Sequence, residues 1–130
     1  MVEEYSNLTV SGKGTLPSVP FLAIKEAVLG KKYELSVRFV APQTAQQLNI
    51  THRQKDYVPN TLSFSLSETS GEIVMCRSAI RKEFKKFNMT HRDYLVFLLI
   101  HSSLHLLGMD HGDIMERKEL FFLKKFSTTN

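Results

Sequence analysis

The sequence predicts an α+β fold: a small mixed β-sheet packed against helices, with a three-histidine metal site at the end of a buried helix. Short runs in the first 76 residues alternate apolar with polar side chains, whereas the remainder carries helical periodicity. Strands early and helices late argue for segregated layers. The third observation is the run His101-Ser102-Ser103-Leu104-His105-Leu106-Leu107-Gly108-Met109-Asp110-His111.

Taken in order, Tyr5 to Val10 alternates weakly and reads as an edge strand, and Gly12-Lys13-Gly14 with Pro17 marks a loop. Pro20 suits the start of a helix running to Leu29, and Gly30 suits its stop. Tyr33 to Val40 is a strand, with Leu35, Val37 and Phe39 on one side. A short helix follows Pro42, with Leu48 and Ile50 as its apolar contacts, and Thr51 to Asn60 reads as a loop. In Thr61 to Leu66, the apolar Leu62, Phe64 and Leu66 alternate with small polar residues, which predicts a strand with one wet face. Gly71 precedes a strand from Glu72 to Cys76.

In the second half, a basic helix is predicted from Ser78 to Phe87, stopping at Asn88. Thr90 then caps the histidine helix, and Asp93, three residues on, is spaced to reach back to the cap. The segment Tyr94 to Ile100 is apolar on every side, so this helix is buried. A last helix begins near Asp113 and is expected to turn Leu120, Phe121 and Leu123 inward, with the tail from Ser127 to Asn130 disordered.

The length of 130 residues implies one domain, 1–130. The opening Met1-Val2-Glu3-Glu4-Tyr5 is acidic and lacks the apolar stretch of a secretory leader, and no apolar run reaches membrane-spanning length. Cys76 is the single cysteine and sits in an apolar run, so it reads as core packing; with no intrachain disulfide possible, a reducing cytoplasm is the expected compartment. The net charge of +4 is a mild bias toward polyanions. Its placement says more. Arg77, Arg81 and Lys85 form one helical stripe with Lys82 and Lys86 beside it, either a solvated face or an RNA contact.

His101 and His105 lie one helical turn apart on one face. Gly108 can end the helix in a left-handed conformation, letting the chain bring His111 back over the pair. Three neutral imidazoles converging on one point suit one Zn²⁺ with an open fourth position, the arrangement of a catalytic rather than a structural site. Nickel and copper share this taste for imidazole. His91 stands about 15 Å along the helix from His101, too far to be a fourth ligand.

The three-histidine run resembles the HGxLHLLGxDH signature of the YbeY family, bacterial metal-dependent endoribonucleases of rRNA maturation. His52-Arg53-Gln54-Lys55-Asp56 with Asn60-Thr61-Leu62-Ser63-Phe64 resembles a second family segment, and Gly71-Glu72-Ile73 resembles its G-D-I. The order and spacing agree over roughly residues 20 to 125. Ser102 stands where the family has glycine, Glu72 where it has Asp, and Pro59 where Thr is usual; none of these is a ligand.

The resemblance implies the same α+β fold, and a single-strand-specific endoribonuclease acting at the 16S rRNA 3′ end and in ribosome quality control. It also implies RNA and the small ribosomal subunit as partners, with no membrane and no DNA. Arg53 falls on the family's functional arginine, and a guanidinium can hold two non-bridging phosphate oxygens at once. Without the resemblance, an arginine in a polar loop is a solvated charge. Arg81 and Lys85 are candidate RNA contacts. His52 is either a proton-transfer helper or exposed, Asp110 a turn residue or a histidine-orienting carboxylate, and Ser63 a groove or a sheet residue.

Two other functions fit the same ligands. One is a zinc peptidase-like hydrolase, disfavoured because Ser102 stands where an H-E-x-x-H enzyme keeps its glutamate base. The other is a non-catalytic ribosome assembly factor whose zinc holds the fold.

Overall fold

The computed structural model describes residues 2–12 and 18–128. Among these the strands are β1 (Val2–Tyr5), β2 (Leu8–Ser11), β3 (Glu34–Phe39), β4 (Thr61–Ser67) and β5 (Ser70–Met75). They make one sheet in the order β1-β2-β3-β5-β4. β2 with β3 and β3 with β5 are parallel, while the outer pairs are antiparallel, so the sheet is mixed. The helices are α1 (Phe21–Leu29), α2 (Pro42–Arg53), α3 (Arg77–Glu83), α4 (His91–Leu106) and α5 (Asp113–Phe126), with a 3-10 turn over Phe84–Phe87. The α+β class is as the sequence predicts.

One sheet face carries Val10, Leu35, Val37, Phe39, Ile73 and Met75, which join Ile24 of α1 and Leu95, Leu99 and Leu104 of α4 in a single buried cluster. α4 is apolar all round because it lies inside this cluster, between the sheet and its neighbouring helices. Its C-terminal end approaches β5 at Gly71, where a Cβ would stand 2.5 Å from the Tyr33 hydroxyl and 2.9 Å from Leu106 Cδ2. A larger residue would force the Tyr33 hydroxyl and the Leu106 side chain to move, so glycine lets the histidine-bearing end of the helix settle there undisturbed. α2 lies on the opposite face, where His52 meets Phe64 edge-on at 5.1 Å.

Several expectations need correction. The opening strand is a hairpin of β1 and β2, turned at Asn7 with a left-handed φ of 64°. The helix after Pro42 continues through the predicted loop start to Arg53, because Gln54, at φ 55°, is its stop. Its buried residues are Ala45 and Asn49, one turn apart, while Ile50 is exposed. The basic helix breaks into α3 and the 3-10 turn. In α5, Leu120 and Phe121 point outward and Met115 and Glu119 inward, since a glutamate occupies a position in the apolar stripe. Ser127 and Thr128 hydrogen-bond to the buried Asp93 carboxylate, so the described part of the tail is tied down. The loop predicted at Gly12-Lys13-Gly14 and Pro17 falls mostly on residues 13–17, which, like the last two residues, lie outside the described set. Cys76 is buried, in keeping with core packing.

Candidate metal centre and cleft

The centre begins with how α4 starts and stops. Thr90 Oγ1 accepts the Asp93 backbone N–H at 3.1 Å and fixes the first turn. At the other end Gly108 adopts φ 87°. Its N–H donates to the His105 carbonyl at 2.9 Å, and the Met109 N–H donates to Leu104 at 3.2 Å. This paired glycine stop satisfies two end carbonyls and reverses the chain. It brings the Met109 carbonyl to 2.8 Å from His105 Nδ1 and returns His111 over the helix.

The three rings converge. Their centroids are 4.6, 5.2 and 5.1 Å apart, and one nitrogen of each lies within 4.8 Å of the others. His101 Nδ1 meets Glu119 Oε2 at 2.9 Å, and His105 Nδ1 faces a carbonyl, so each Nδ1 is assigned the proton. A neutral imidazole has one N–H, which leaves both Nε2 atoms as bare lone pairs, facing each other at 3.1 Å. Two such lone pairs repel unless a cation lies between them. Tetrahedral zinc ligation at Zn–N distances near 2.0 Å separates its nitrogens by ~3.3 Å, which matches this spacing. Burial holds the His101 pKa below the usual imidazole value against the opposing pull of the Glu119 carboxylate. Lowering it keeps the ring neutral and able to ligate at neutral pH.

Beside the histidines opens a cleft of about 580 Å³. One wall is α4, with Tyr94, Phe97 and Leu98 leading to the histidines. Another is β4. Two of its small polar residues, Thr61 and Ser63, face α4 rather than open water, while Ser65 and Ser67 are exposed. Ser102 Oγ lies 2.7 Å from Thr61 Oγ1, and Ser63 Oγ donates to the Ser102 carbonyl at 3.2 Å. The predicted wet face is thus partly the cleft wall, and Ser63 bonds to the helix backbone. Farther along, Glu83 accepts from Asn60 Nδ2 at 3.1 Å and from the Tyr94 hydroxyl at 2.8 Å. Burial first, and this hydrogen bond next, push the Tyr94 phenol well above its ordinary range.

Arg53 and Tyr57 complete the lining. Arg53 is the last residue of α2, not part of a loop, and is exposed. The segment after it is anchored from within: buried Asn49 donates to the Tyr57 carbonyl at 3.0 Å, and Gln46 donates to Asp56 at 3.0 Å. The structure therefore brings Arg53, His101, His105 and His111 to one cleft. No carboxylate lines it among the described residues.

Other candidates lie elsewhere. Arg81 and Lys85 are exposed and do not line the cleft. Arg77 is half-buried, and burial chiefly lowers its pKa, so the predicted stripe is not uniformly solvated. His52 packs on Phe64 on the far face of the sheet. Asp110 is exposed. His91 stands against Phe84 with ring centroids 5.5 Å apart, away from the cluster. Glu119 escaped the sequence reading. Its signal was register: it follows Met115 by four residues and precedes Phe122 by three, in the inward stripe of α5.

Comparison with known proteins agrees with the geometry. The sequence profile of the family described as Endoribonuclease YbeY matches residues 17–129. Endoribonuclease YbeY of Idiomarina loihiensis is 37% identical over 97 residues, covering 69% of this chain and 60% of that protein. Its counterparts from Paraburkholderia phymatum and Staphylococcus carnosus are 34% and 32% identical, each over 83% of this chain and over 74% and 78% of their own lengths. A Thermotoga maritima protein solved in solution has the same fold at a TM-score of 0.66 and 23% identity, covering 92% of this chain and 88% of that one. The chain belongs to the YbeY endoribonuclease family.

Proposed function

We propose that this chain is a zinc-dependent endoribonuclease that hydrolyses phosphodiester bonds of single-stranded RNA. The observation that carries the reading is the pair of His101 and His105 Nε2 atoms at 3.1 Å, with both Nδ1 atoms committed elsewhere. His101, His105 and His111 hold one Zn²⁺. The metal, when bound, supplies Lewis acidity and a water activated near neutral pH. Arg53, on the same cleft, binds the non-bridging oxygens of the scissile phosphate through its two-pronged guanidinium. Glu119 and the Met109 carbonyl keep the ligating rings in the right tautomer.

The cleft lining favours an anionic substrate. It offers Arg53, imidazoles, hydroxyls and aromatic rings, and the nearby Glu83 and Glu119 carboxylates are engaged behind Asn60, Tyr94 and His101. The lack of a carboxylate in the lining among the described residues, with the Ser102 hydroxyl engaged by Thr61, disfavours a peptidase with a glutamate base. Family membership supports a finer assignment: maturation of the 16S rRNA 3′ end and ribosome quality control on the small subunit, in the cytoplasm, within a single domain.

The test is cleavage of one RNA sequence offered single-stranded and as a blunt duplex, beside a peptide library. Cleavage confined to the single strand is expected. Cleavage of peptides alone would replace this reading with the hydrolase of peptide bonds. Tight binding to ribosomal particles with no cleavage by metal-loaded protein would replace it with a structural zinc.

A further inference from the structure

Catalysis at the histidines and Arg53 leaves the aromatic wall of the cleft without a role. Phe87, the last residue of the 3-10 turn, is 54% exposed, a large exposure for an apolar ring. It lies nearly parallel to Tyr94, with centroids 5.0 Å apart and planes 14° apart. Tyr94 is followed by Phe97 at 6.3 Å and again 14°, and Phe97 by His101 at 5.9 Å. A ladder of rings thus runs from solvent to the histidine cluster.

The ladder is held in place. Tyr94 is 2% exposed, with its hydroxyl bonded to Glu83. Asn88, left-handed at φ 57°, ends the turn directly after Phe87. Phe84, one turn earlier, packs on the core. Phe87 is therefore covered on the side of Tyr94 and open beyond it. Lys85 and Lys86 precede it and are exposed, and Tyr57, 50% exposed, lines the same cleft.

We propose that the open face of Phe87 is a stacking platform for one unpaired nucleobase of the RNA, a few nucleotides from the scissile phosphate. This rests on the endoribonuclease reading and specifies how that site takes a single strand. A flat ring backed by a second parallel ring presents a rigid π-face, and any base can stack on it without regard to sequence. The neighbouring lysines suit the phosphates on either side of that base. A base paired in a duplex is stacked already and has no free face to give, so the platform selects for single strands.

The experiment uses zinc-loaded full-length protein and a short single-stranded RNA carrying one 2-aminopurine, moved along the strand position by position. Fluorescence is read by rapid mixing before cleavage, beside affinity by anisotropy and a melting curve. Wild type should quench the probe at one or two positions only. Phe87→Ala should lose that quenching and weaken affinity by about tenfold or more. Phe87→Trp should retain both, and Phe87→Leu, apolar but without a π-face, should behave like the alanine variant. Quenching and affinity unchanged in Phe87→Ala, or fully kept in Phe87→Leu, would overturn the platform while leaving the nuclease reading intact. Wild-type protein that neither binds nor cleaves the single strand would overturn both.

Discussion

Glu119 Oε2 lies 2.9 Å from His101 Nδ1, across the contact between α5 and α4. A carboxylate in this place fixes the proton on Nδ1, turns Nε2 toward the cluster and raises the ring's basicity as a ligand. Glu119 is only 8% exposed, so the geometry is held rather than sampled. Glu119→Ala should bind zinc about 10- to 100-fold more weakly, measured by competition with a chelator. Glu119→Gln, whose amide oxygen can still accept from Nδ1, should lose less. Both should melt cooperatively in excess zinc. Unchanged affinity in the alanine variant would show that the contact is incidental to the metal.

The Ser102–Thr61 hydrogen bond ties α4 to β4 directly beside the first histidine of the cluster. Ser102 is 1% exposed, so the bond forms away from bulk water. Ser102→Gly should destabilise the protein by about 1–2 kcal/mol, from the lost hydrogen bond and the poorer helix propensity of glycine. Thermal melting checks this, and an unchanged or higher melting temperature would contradict it. Zinc content should not change, because the two hydroxyls bond to each other.

The α+β class, the histidine cluster and the glycine stop were legible because each rests on local chemistry: two-residue alternation, four-residue spacing, and a φ that glycine favours. What escaped depends on tertiary pairing. A glutamate on a helix is ordinarily solvated, and only the His101 nitrogen opposite it makes the inward position of Glu119 favourable. Leu120 and Phe121 looked inward-facing, but the register of α5 is set by Met115 and Glu119. Arg53 looked like loop because Thr51-His52-Arg53 has no apolar periodicity and Gln54 gives no glycine-like stop signal. Thr61 and Ser63 looked solvated, and their partners lie about forty residues away on α4.

Arg81 and Lys85 lie outside the cleft, on α3 and on the 3-10 turn that ends at Phe87. Contacts from such a face to RNA are to phosphate and carry little sequence information. Replacing both with Glu should weaken RNA binding and flatten its salt dependence, measured by anisotropy over a salt series. The ratio of affinities between two unrelated single strands should stay the same. An unchanged slope would show that this face is only solvated.

Arg53 reaches the cleft from the end of α2 and, among the described residues, is bonded to none of the three histidines. Arg53→Ala should therefore keep fold and zinc content while slowing single-turnover cleavage of saturated RNA by about a hundredfold, on the order of 3 kcal/mol. Arg53→Lys should recover only part, since an ammonium cannot make the two-pronged contact. A wild-type rate in the alanine variant would make Arg53 ordinary surface charge. Lost zinc or lost folding would make it structural.

Metal dependence of cleavage is the most direct test. Purified protein is assayed for bound metal and for single-turnover cleavage of a short single-stranded RNA, then stripped with chelator, assayed again, and reloaded with zinc. About one zinc per chain is expected, with cleavage lost on stripping and restored on reloading. His105→Ala should stay folded yet bind metal poorly and cleave little, because two imidazoles make a weak site. Full cleavage by metal-free protein, or no bound metal with His101, His105 and His111 intact, would contradict a metal-dependent ribonuclease.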